Sequence, residues 1–153
     1  MNEIAPAGYG VFLVHRPVVP GGPTRGGGLA VIHRNTVPVR VHSLAAALPP
    51  TNQERQVVGI VLPSSSVTIV NIYRPPSGPI TQFLDELGDF LATVVTCTTD
   101  KLLLCGDFNC PGVDGTCVDD DLQCLLESFG FDVLVNEPTR AGNLLDILAS
   151  DDP

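Results

Sequence analysis

Two polar side chains at the end of a short apolar run are the residues of this chain best suited to chemistry. Asp107 and Asn109 follow three consecutive leucines at 102–104 and stand on either side of Phe108, directly after Gly106. Short apolar runs are typical of buried strands, and glycine lets the backbone turn where the run ends. In α/β sheets, side chains just past the carboxyl end of a central strand point into the crevice where ligands bind. A carboxylate and a carboxamide there could hold a water, a metal ion or a phosphate oxygen.

The same two residues have an ordinary structural interpretation. Asp and Asn are common turn formers, because their side chains hydrogen-bond to the nearby backbone. From the local pattern alone, a plain strand-to-turn transition explains Asp107 and Asn109 as well as a reactive site does. The choice between the two depends on other segments of the chain.

Four segments, in order along the chain, resemble the endonuclease/exonuclease/phosphatase family, which contains DNase I-like nucleases and apurinic endonucleases. Residues 106–109 (GDFN) match a motif of that family. Residues 25–31 (RGGGLAV), 71–77 (NIYRPPS) and 138–146 (PTRAGNLLD) resemble the endonuclease domain of non-LTR retrotransposons. Four motifs in the same order are far more specific than any one of them, so the resemblance favours the reactive-site interpretation.

The resemblance implies a Mg²⁺-dependent phosphodiesterase that nicks target DNA for retrotransposition. Hydrolysis of a phosphodiester needs an aligned water, a group that takes its proton, and positive charge on the phosphate oxygens. In the resembled family Asp107 would orient and deprotonate the water and contact the metal, and Asn109 would hold water or phosphate. Tyr73 would donate to a phosphate oxygen, and Asp146 would orient a catalytic histidine. The residues expected to line the DNA-facing side are Arg74, Thr139, Arg140 and Asn143.

Several of these residues also have simpler explanations. Tyr73 could be a core tyrosine with its hydroxyl at the edge, and Arg74 could be a solvated surface arginine. Asp146 lies in an apolar stretch, Leu-Leu-Asp-Ile-Leu at 144–148, where burying a charge is costly unless the charge is paired.

The chain departs from the resembled family at both ends. The family begins with a strand that carries an Asn and a strand that carries the metal-binding Glu, and it ends with a Ser-Asp-His motif. Glu3 precedes the region of resemblance, and residues 150–152 (Ser-Asp-Asp) lie too close to Asp146 for that motif, so we interpret them as a surface turn. We expect residues 1–153 to be a single partial domain, truncated at both ends and weak or inactive alone. The alternative is a catalytically dead remnant, or a non-enzymatic binding module, with the same fold.

Net charge opposes tight DNA binding. The formal charge is −9 and only 8 residues are Lys or Arg, whereas contacts to phosphates depend on these cations. Four arginines fall in the first third of the chain, so we expect weak attraction to DNA, the implied partner. The resemblance further implies a reverse transcriptase domain that follows in the full element.

Cysteine usage and hydropathy indicate an intracellular protein, nuclear or cytoplasmic. Mean hydropathy is +0.26, yet no apolar run approaches the ~18 residues that a membrane span needs, and the N-terminus lacks a signal-peptide pattern. Five cysteines without a C-x-x-C pair favour reduced thiols. The even spacing of Cys110, Cys117 and Cys124 invites a metal site, but the histidines lie far away in sequence. The acids at 114 and 119–121 lack the spacing of a calcium loop.

Apolar and β-branched runs, a helical hydrophobic period and helix-end residues together predict strand pairs followed by helix, strand, helix and strand. This order indicates a mixed α/β (α+β type) domain, and the resemblance implies an incomplete four-layer DNase I-like sandwich of two mixed sheets flanked by helices. Thr81 is a partial cap candidate for the first helix. The predicted strands are 10–16, 29–34, 37–42 (pairing back as a hairpin), 56–62, 67–73, 101–105, 131–135 and 143–149, the helices are 81–96 and 119–128, and 17–28 is a loop.

Overall fold

A computed structural model describes residues 5–15, 28–41 and 56–152 of the chain. These residues form two sheets and two helices. In chain order the elements are β1 (Tyr9–Val14), β2 (Leu29–Arg34), β3 (Arg40–Val41), β4 (Gln56–Leu62), β5 (Val67–Tyr73), α1 (Ile80–Cys97), β6 (Lys101–Asp107), α2 (Asp120–Ser128), β7 (Asp132–Val133) and β8 (Asp146–Ser150). The predicted mixed α/β class is confirmed.

The larger sheet has six strands in the order β3-β4-β5-β6-β8-β7. All its neighbouring pairs are antiparallel except β5–β6, which runs parallel because α1 carries the chain back across the sheet. The hairpin between β4 and β5 closes at Ser65, whose amide donates to the Leu62 carbonyl at 3.0 Å. This arrangement puts β5, β6 and β8 at the centre of the sheet.

Both helices pack on one face of this sheet. In β5 the buried positions alternate at Thr68, Val70 and Ile72, as expected for a strand with one face in the core. In α1 the buried side chains recur at three- and four-residue intervals: Phe83, Leu87, Phe90, Leu91 and Val94. They join the buried side chains of α2, Leu122 and Leu126, and of β6 and β8 in one core. Hydrophobic burial on this face therefore fixes the positions of the three central strands.

The smaller sheet consists of β1 and β2, paired antiparallel. Phe12 and His33 stack at 5.3 Å between ring centroids within this sheet. β1 contacts β4, and β2 contacts both β4 and β5, so the small sheet lies against one side of the large one. No helix in the described part of the chain is long and apolar enough to span a membrane.

Several predicted boundaries were wrong. Helix α1 begins at Ile80 with Pro79 as its N-cap, so Thr81 is not the cap. The helix has no side-chain cap bond, because the proline side chain has no oxygen to accept one from the first amides. Of the strand expected at 37–42, the described residues show Arg40–Val41, which pairs with β4 rather than folding back on β2. Residue 42 lies outside the described residues. The strand expected at 143–149 begins only at Asp146, because a tight turn occupies residues 140–143.

Other expectations differ less from the structure. The strand predicted at 131–135 is limited to Asp132–Val133, and β6 extends two residues past its predicted end to Asp107. Residues 150–152 form a bend in which Asp151 Oδ1 accepts a 2.7 Å bond from the Leu102 amide. Most of the loop predicted at 17–28 lies outside the described residues.

Candidate active site

The strand register places three of the predicted site residues side by side. Tyr73 pairs with Asp107 across β5–β6, and Asp107 pairs with Asp146 across β6–β8. Directly paired residues project from the same face of a sheet. Their neighbours Ile72 and Ile147 are buried in the core, so the three side chains point away from the helices. The result is a row of one phenol and two carboxylates, all half-buried, at one end of the central strands.

Gly106 makes this row possible. Its φ is +134°, and a Cβ added there would lie 1.9 Å from the Ile72 carbonyl oxygen and 2.8 Å from Asn71 Oδ1. No side chain fits against backbone at that distance, and L-residues avoid this φ. With glycine, β6 stays paired to β5 and β8 as far as Asp107, which holds the carboxylate in register with Tyr73 and Asp146.

Asn109 is held in the turn after β6 by Arg74. Its φ is +49°, a left-handed conformation that Asn tolerates better than most residues. Asn109 Nδ2 donates to the Arg74 carbonyl at 2.7 Å, and Arg74 Nη1 donates to the Asn109 carbonyl at 2.9 Å. The Arg74 amide also donates to the Asp107 carbonyl at 2.9 Å. The loops after β5 and β6 are therefore joined, and the amide nitrogen of Asn109 is already engaged.

Arg74 itself does not lie in the crevice. It is only 5% exposed, and its Nη2 donates to the Gly78 carbonyl. The guanidinium also lies over the Phe83 ring, 5.6 Å from its centroid. These contacts favour a role in fixing the two loops, and its contact with a phosphate stays a prediction.

Arg140 reaches the row from a two-residue turn. Arg140 and Asn143 exchange backbone hydrogen bonds of 3.0 and 2.9 Å, with Ala141 and Gly142 between them. Both central residues have positive φ, +51° and +81°, which defines a type I′ turn. Left-handed Ala141 is strained, because its Cβ crowds the backbone. The turn directs the arginine towards β6.

The guanidinium of Arg140 holds one edge of the site. Its Nη2 lies 2.9 Å from Asp107 Oδ2 and 3.3 Å from Asn109 Oδ1. The Arg140 side chain is 55% exposed and that of Asp107 only 20%. The other oxygen, Asp107 Oδ1, is buried without a hydrogen-bond partner. A buried, unpaired carboxylate oxygen is costly, so this atom is suited to a group that arrives with substrate, water or a cation.

Solved structures with a similar fold are endonuclease/exonuclease/phosphatase proteins. The endonuclease domain of TRAS1, a telomere-specific non-LTR retrotransposon, superposes with a TM-score of 0.58 at 21% identity, over 91% of this chain and 66% of that one. The human Nocturnin catalytic domain with bound sulfate gives 0.62 at 19% identity, over 95% of this chain and 61% of that one. The Neisseria 3′ phosphatase NExo bound to a product DNA hairpin gives a TM-score of 0.57 at 19% identity, over 94% of this chain and 66% of that one.

This chain has the endonuclease/exonuclease/phosphatase fold. At these identities the likeness establishes the fold alone, and it confirms the predicted DNase I-like architecture. The chain spans less than two thirds of the length of each of these neighbours. No protein-family model matches the sequence, and no curated protein matches it.

Two further residues that were predicted to line the DNA-facing side support the turn that carries Arg140. Thr139 Oγ1 accepts bonds from the amides of Leu145 at 3.2 Å and Asp146 at 3.1 Å. Asn143 packs against Gly115, where an added Cβ would lie 2.3 Å from Asn143 Oδ1. Both side chains thus connect the turn to β8 and to a neighbouring loop, and their contact with DNA stays a prediction.

A magnesium ion finds only part of a ligand set in the described residues. Asp107 Oδ1 is a suitable oxygen donor, and the Asp146 carboxylate lies in the adjacent strand. However, residues 5–15, 28–41 and 56–152 contain no group of three His, Cys, Asp or Glu side chains that could hold a metal ion. These residues alone do not make a complete metal site.

In the described part of the chain, a cysteine lies beside the row and no histidine is bonded to its carboxylates. Burial raises the pKa of the Cys105 thiol, which lies two residues before Asp107 on the same strand face, so this thiol stays protonated. Among the described residues, no hydrogen bond joins a histidine to Asp107 or Asp146, and His33 bonds only the Arg34 carbonyl.

The ion pair between Arg140 and Asp107 was not predicted from the sequence. The available signal is the Ala-Gly pair directly after Arg140, since a small residue followed by glycine suits a two-residue turn. Such a turn shortens the following strand and brings Arg140 back over the sheet.

Proposed function

We propose that this chain belongs to a Mg²⁺-dependent DNA endonuclease that nicks target DNA for retrotransposition, and that these 153 residues alone are weakly active or inactive. The observation that carries the proposal is the row of Tyr73, Asp107 and Asp146 on adjacent strands, with Arg140 beside it. The fold supports it, since structural neighbours with this architecture include nucleases and phosphatases. In the full element a reverse transcriptase would follow.

Asp107 is the proton acceptor in this proposal. Arg140 fixes its Oδ2, and the buried, unpartnered Oδ1 would accept a proton from the attacking water once substrate is bound. Tyr73, paired with Asp107 in register, would donate its phenol to a phosphate oxygen. Arg140 keeps enough exposure to contact the same phosphate while it holds Asp107.

The charge of the row explains why a cation is needed. Asp107, Asp146 and Arg140 together carry a formal charge of about −1, which repels a phosphodiester. A bound Mg²⁺ would place positive charge on the phosphate oxygens and the leaving group. Asp107 is the described residue best suited to contact that ion, and it would do so through the water that it deprotonates. Further ligands would come from outside the described residues. Asp146 would orient the imidazole of a catalytic histidine, which would also come from outside the described residues.

A plasmid-nicking assay tests this proposal. We expect Mg²⁺-dependent conversion of supercoiled to open-circular DNA, reduced about a hundredfold or more by Asp107→Asn. Asp132→Asn in β7 is the matched control, because it removes an exposed carboxylate from the same sheet away from the row. If the chain shows no nicking, the same pair is measured in the longer protein encoded at its locus. Activity that survives Asp107→Asn would contradict the proposal.

The second candidate is a catalytically dead remnant or a binding module that keeps the fold. It is favoured by the incomplete ligand set and by the lack of a histidine bonded to Asp146 among the described residues. Sequencing the transcript and locus on both sides separates the two candidates. Flanks that encode the Asn and Glu strands, a Ser-Asp-His motif and a polymerase support the nuclease, whereas stop codons or unrelated sequence support the remnant. An intracellular location, nuclear or cytoplasmic, stays a prediction.

A further inference from the structure

The outer surface of the helical layer carries a groove that takes no part in the candidate active site. It lies between α1 and α2 and has a volume of about 600 Å³. Its apolar surface comes from Leu84 and Ala92 of α1 and from Leu125 and Phe129 at the end of α2. The groove is open to solvent, so apolar side chains of a ligand could enter it without any rearrangement of the core.

Three aspartates form the rim of this groove. Asp85 and Asp89 lie one turn apart on α1, and Asp121 lies across from them on α2. All three are exposed, and none forms a salt bridge with a residue in the described part of the chain. Like charges at i and i+4 destabilise a helix, and here no cation of the described residues offsets them.

The two helices contain no lysine or arginine. Their sequences carry six carboxylates, three in Ile80–Cys97 and three in Asp120–Ser128. A surface of one charge sign around an apolar groove attracts ligands of the opposite sign and repels others. Nucleic acids and anionic membrane surfaces are therefore excluded here, and a cationic ligand with apolar side chains fits.

We propose that this groove binds a basic amphipathic helix of a partner protein. The apolar face of the helix would fill the groove against Leu125 and Phe129, in the helix-in-groove mode of recognition. Lysines or arginines one turn apart on the ligand would match Asp85 and Asp89, and another would reach Asp121. The groove lies on the helical side of the sheet and Asp107 projects from the other side, so the partner would leave the crevice open.

Fluorescence anisotropy with a labelled synthetic peptide tests this inference. The peptide carries leucines on one helical face and lysines on both flanks, and the matched peptide has glutamate in place of each lysine. We expect only the lysine peptide to bind, with affinity falling as salt rises. Asp85→Asn/Asp89→Asn should weaken binding about fivefold, in line with two exposed ion pairs. Asp132→Asn/Glu137→Gln is the control with the same loss of charge, and we expect it to bind like the wild type.

A second variant separates apolar docking from simple charge attraction. Ala92→Glu makes the chain more acidic but puts a charge on the apolar surface, and we expect it to weaken binding about tenfold. Thr96→Glu, one turn further along α1 and outside the groove, should bind as well as the wild type. Circular dichroism melts confirm that each variant is folded.

Three outcomes would overturn the inference. The first is equal binding of both peptides, and the second is binding that Ala92→Glu strengthens or leaves unchanged. The third is a dimer of this chain, seen by sedimentation equilibrium, that Ala92→Glu abolishes. That result would assign the groove to a second copy. None of these measurements depends on nuclease activity, so failure here is distinct from failure of the proposed function.

Discussion

The two halves of the segment 101–109 are continuous in sequence, but packing explains the conformation of the first half and does not explain that of the second. In the first half Leu102 and Leu104 are 2% and 0% exposed, and burial accounts for their conformation. In the second half Asp107 has a buried oxygen without a partner, and Asn109 has a positive φ. Unpaired polar atoms and strained backbone do not stabilise a fold, and they cluster where chemistry or binding requires them. The difference indicates that the leucines of β6 are selected for stability, whereas the polar residues at its end are selected for function.

The substitution with the largest expected effect is at Gly106, where the two halves meet. Gly106→Ala would place a Cβ 1.9 Å from the Ile72 carbonyl oxygen, so β5 and β6 must separate at that point. We expect a loss of about 4 kcal/mol or more in the free energy of unfolding, measured by urea denaturation.

Gly130→Ala is the control for this substitution. Gly130 also has a positive φ, +80°, but its added Cβ would meet nothing within 4 Å. We expect only the conformational cost, about 1 kcal/mol. Equal losses for the two variants would show that backbone strain, and not the close approach of β5 to β6, is what requires Gly106.

Replacing each of two arginines by methionine compares a buried structural arginine with an exposed one at the site. Arg74→Met leaves the carbonyls of Asn109 and Gly78 without their buried donor, so we expect a loss of about 2–3 kcal/mol. Arg140→Met removes a largely exposed ion pair and should cost less than about 1 kcal/mol. If chemical denaturation gives the reverse order, the structural role of Arg74 is wrong and its predicted phosphate contact regains support.

The smallest expected effect on stability is at Asp107. Asp107→Asn loses the ion pair with Arg140 but also removes a buried charge whose Oδ1 has no partner. These changes oppose each other, so we expect the free energy of unfolding to shift by less than about 1 kcal/mol. The same variant should lose nicking activity, and a stable but inactive protein would separate function from folding at this position. A large loss of stability in thermal melts would instead give Asp107 a structural role.

Local patterns predicted much of the fold, and long-range contacts account for the rest. Helix α1 followed from hydrophobic periodicity, because burial on one face repeats with the period of the element, and β5 and β6 followed from short β-branched or apolar runs. Helix α2 followed from the acidic residues at its start and the glycine after its end. The pairing of β3 with β4 could not be read from local sequence, since neither strand encodes its partner.

The candidate site divides in the same way. Asp107, Asn109, Tyr73 and Asp146 were predicted from motifs, and the register brings three of them together in the sheet. The ion pair of Arg140 depends on a turn 33 residues away from Asp107, and the burial of Arg74 depends on α1 packing over it. Contacts of this kind arise only when distant segments meet, which is why neither was predicted.

The measurement that tests the account most directly is amide chemical-shift mapping with a short DNA duplex in the presence of Mg²⁺. The site at the end of β6 predicts perturbations at 107–109 and 139–143, next to the guanidinium of Arg140, and none along the acidic helices α1 and α2. Perturbations confined to the helices, or none at 107–109 at saturating DNA, would contradict the assignment of this end of the central strands as the surface that faces DNA.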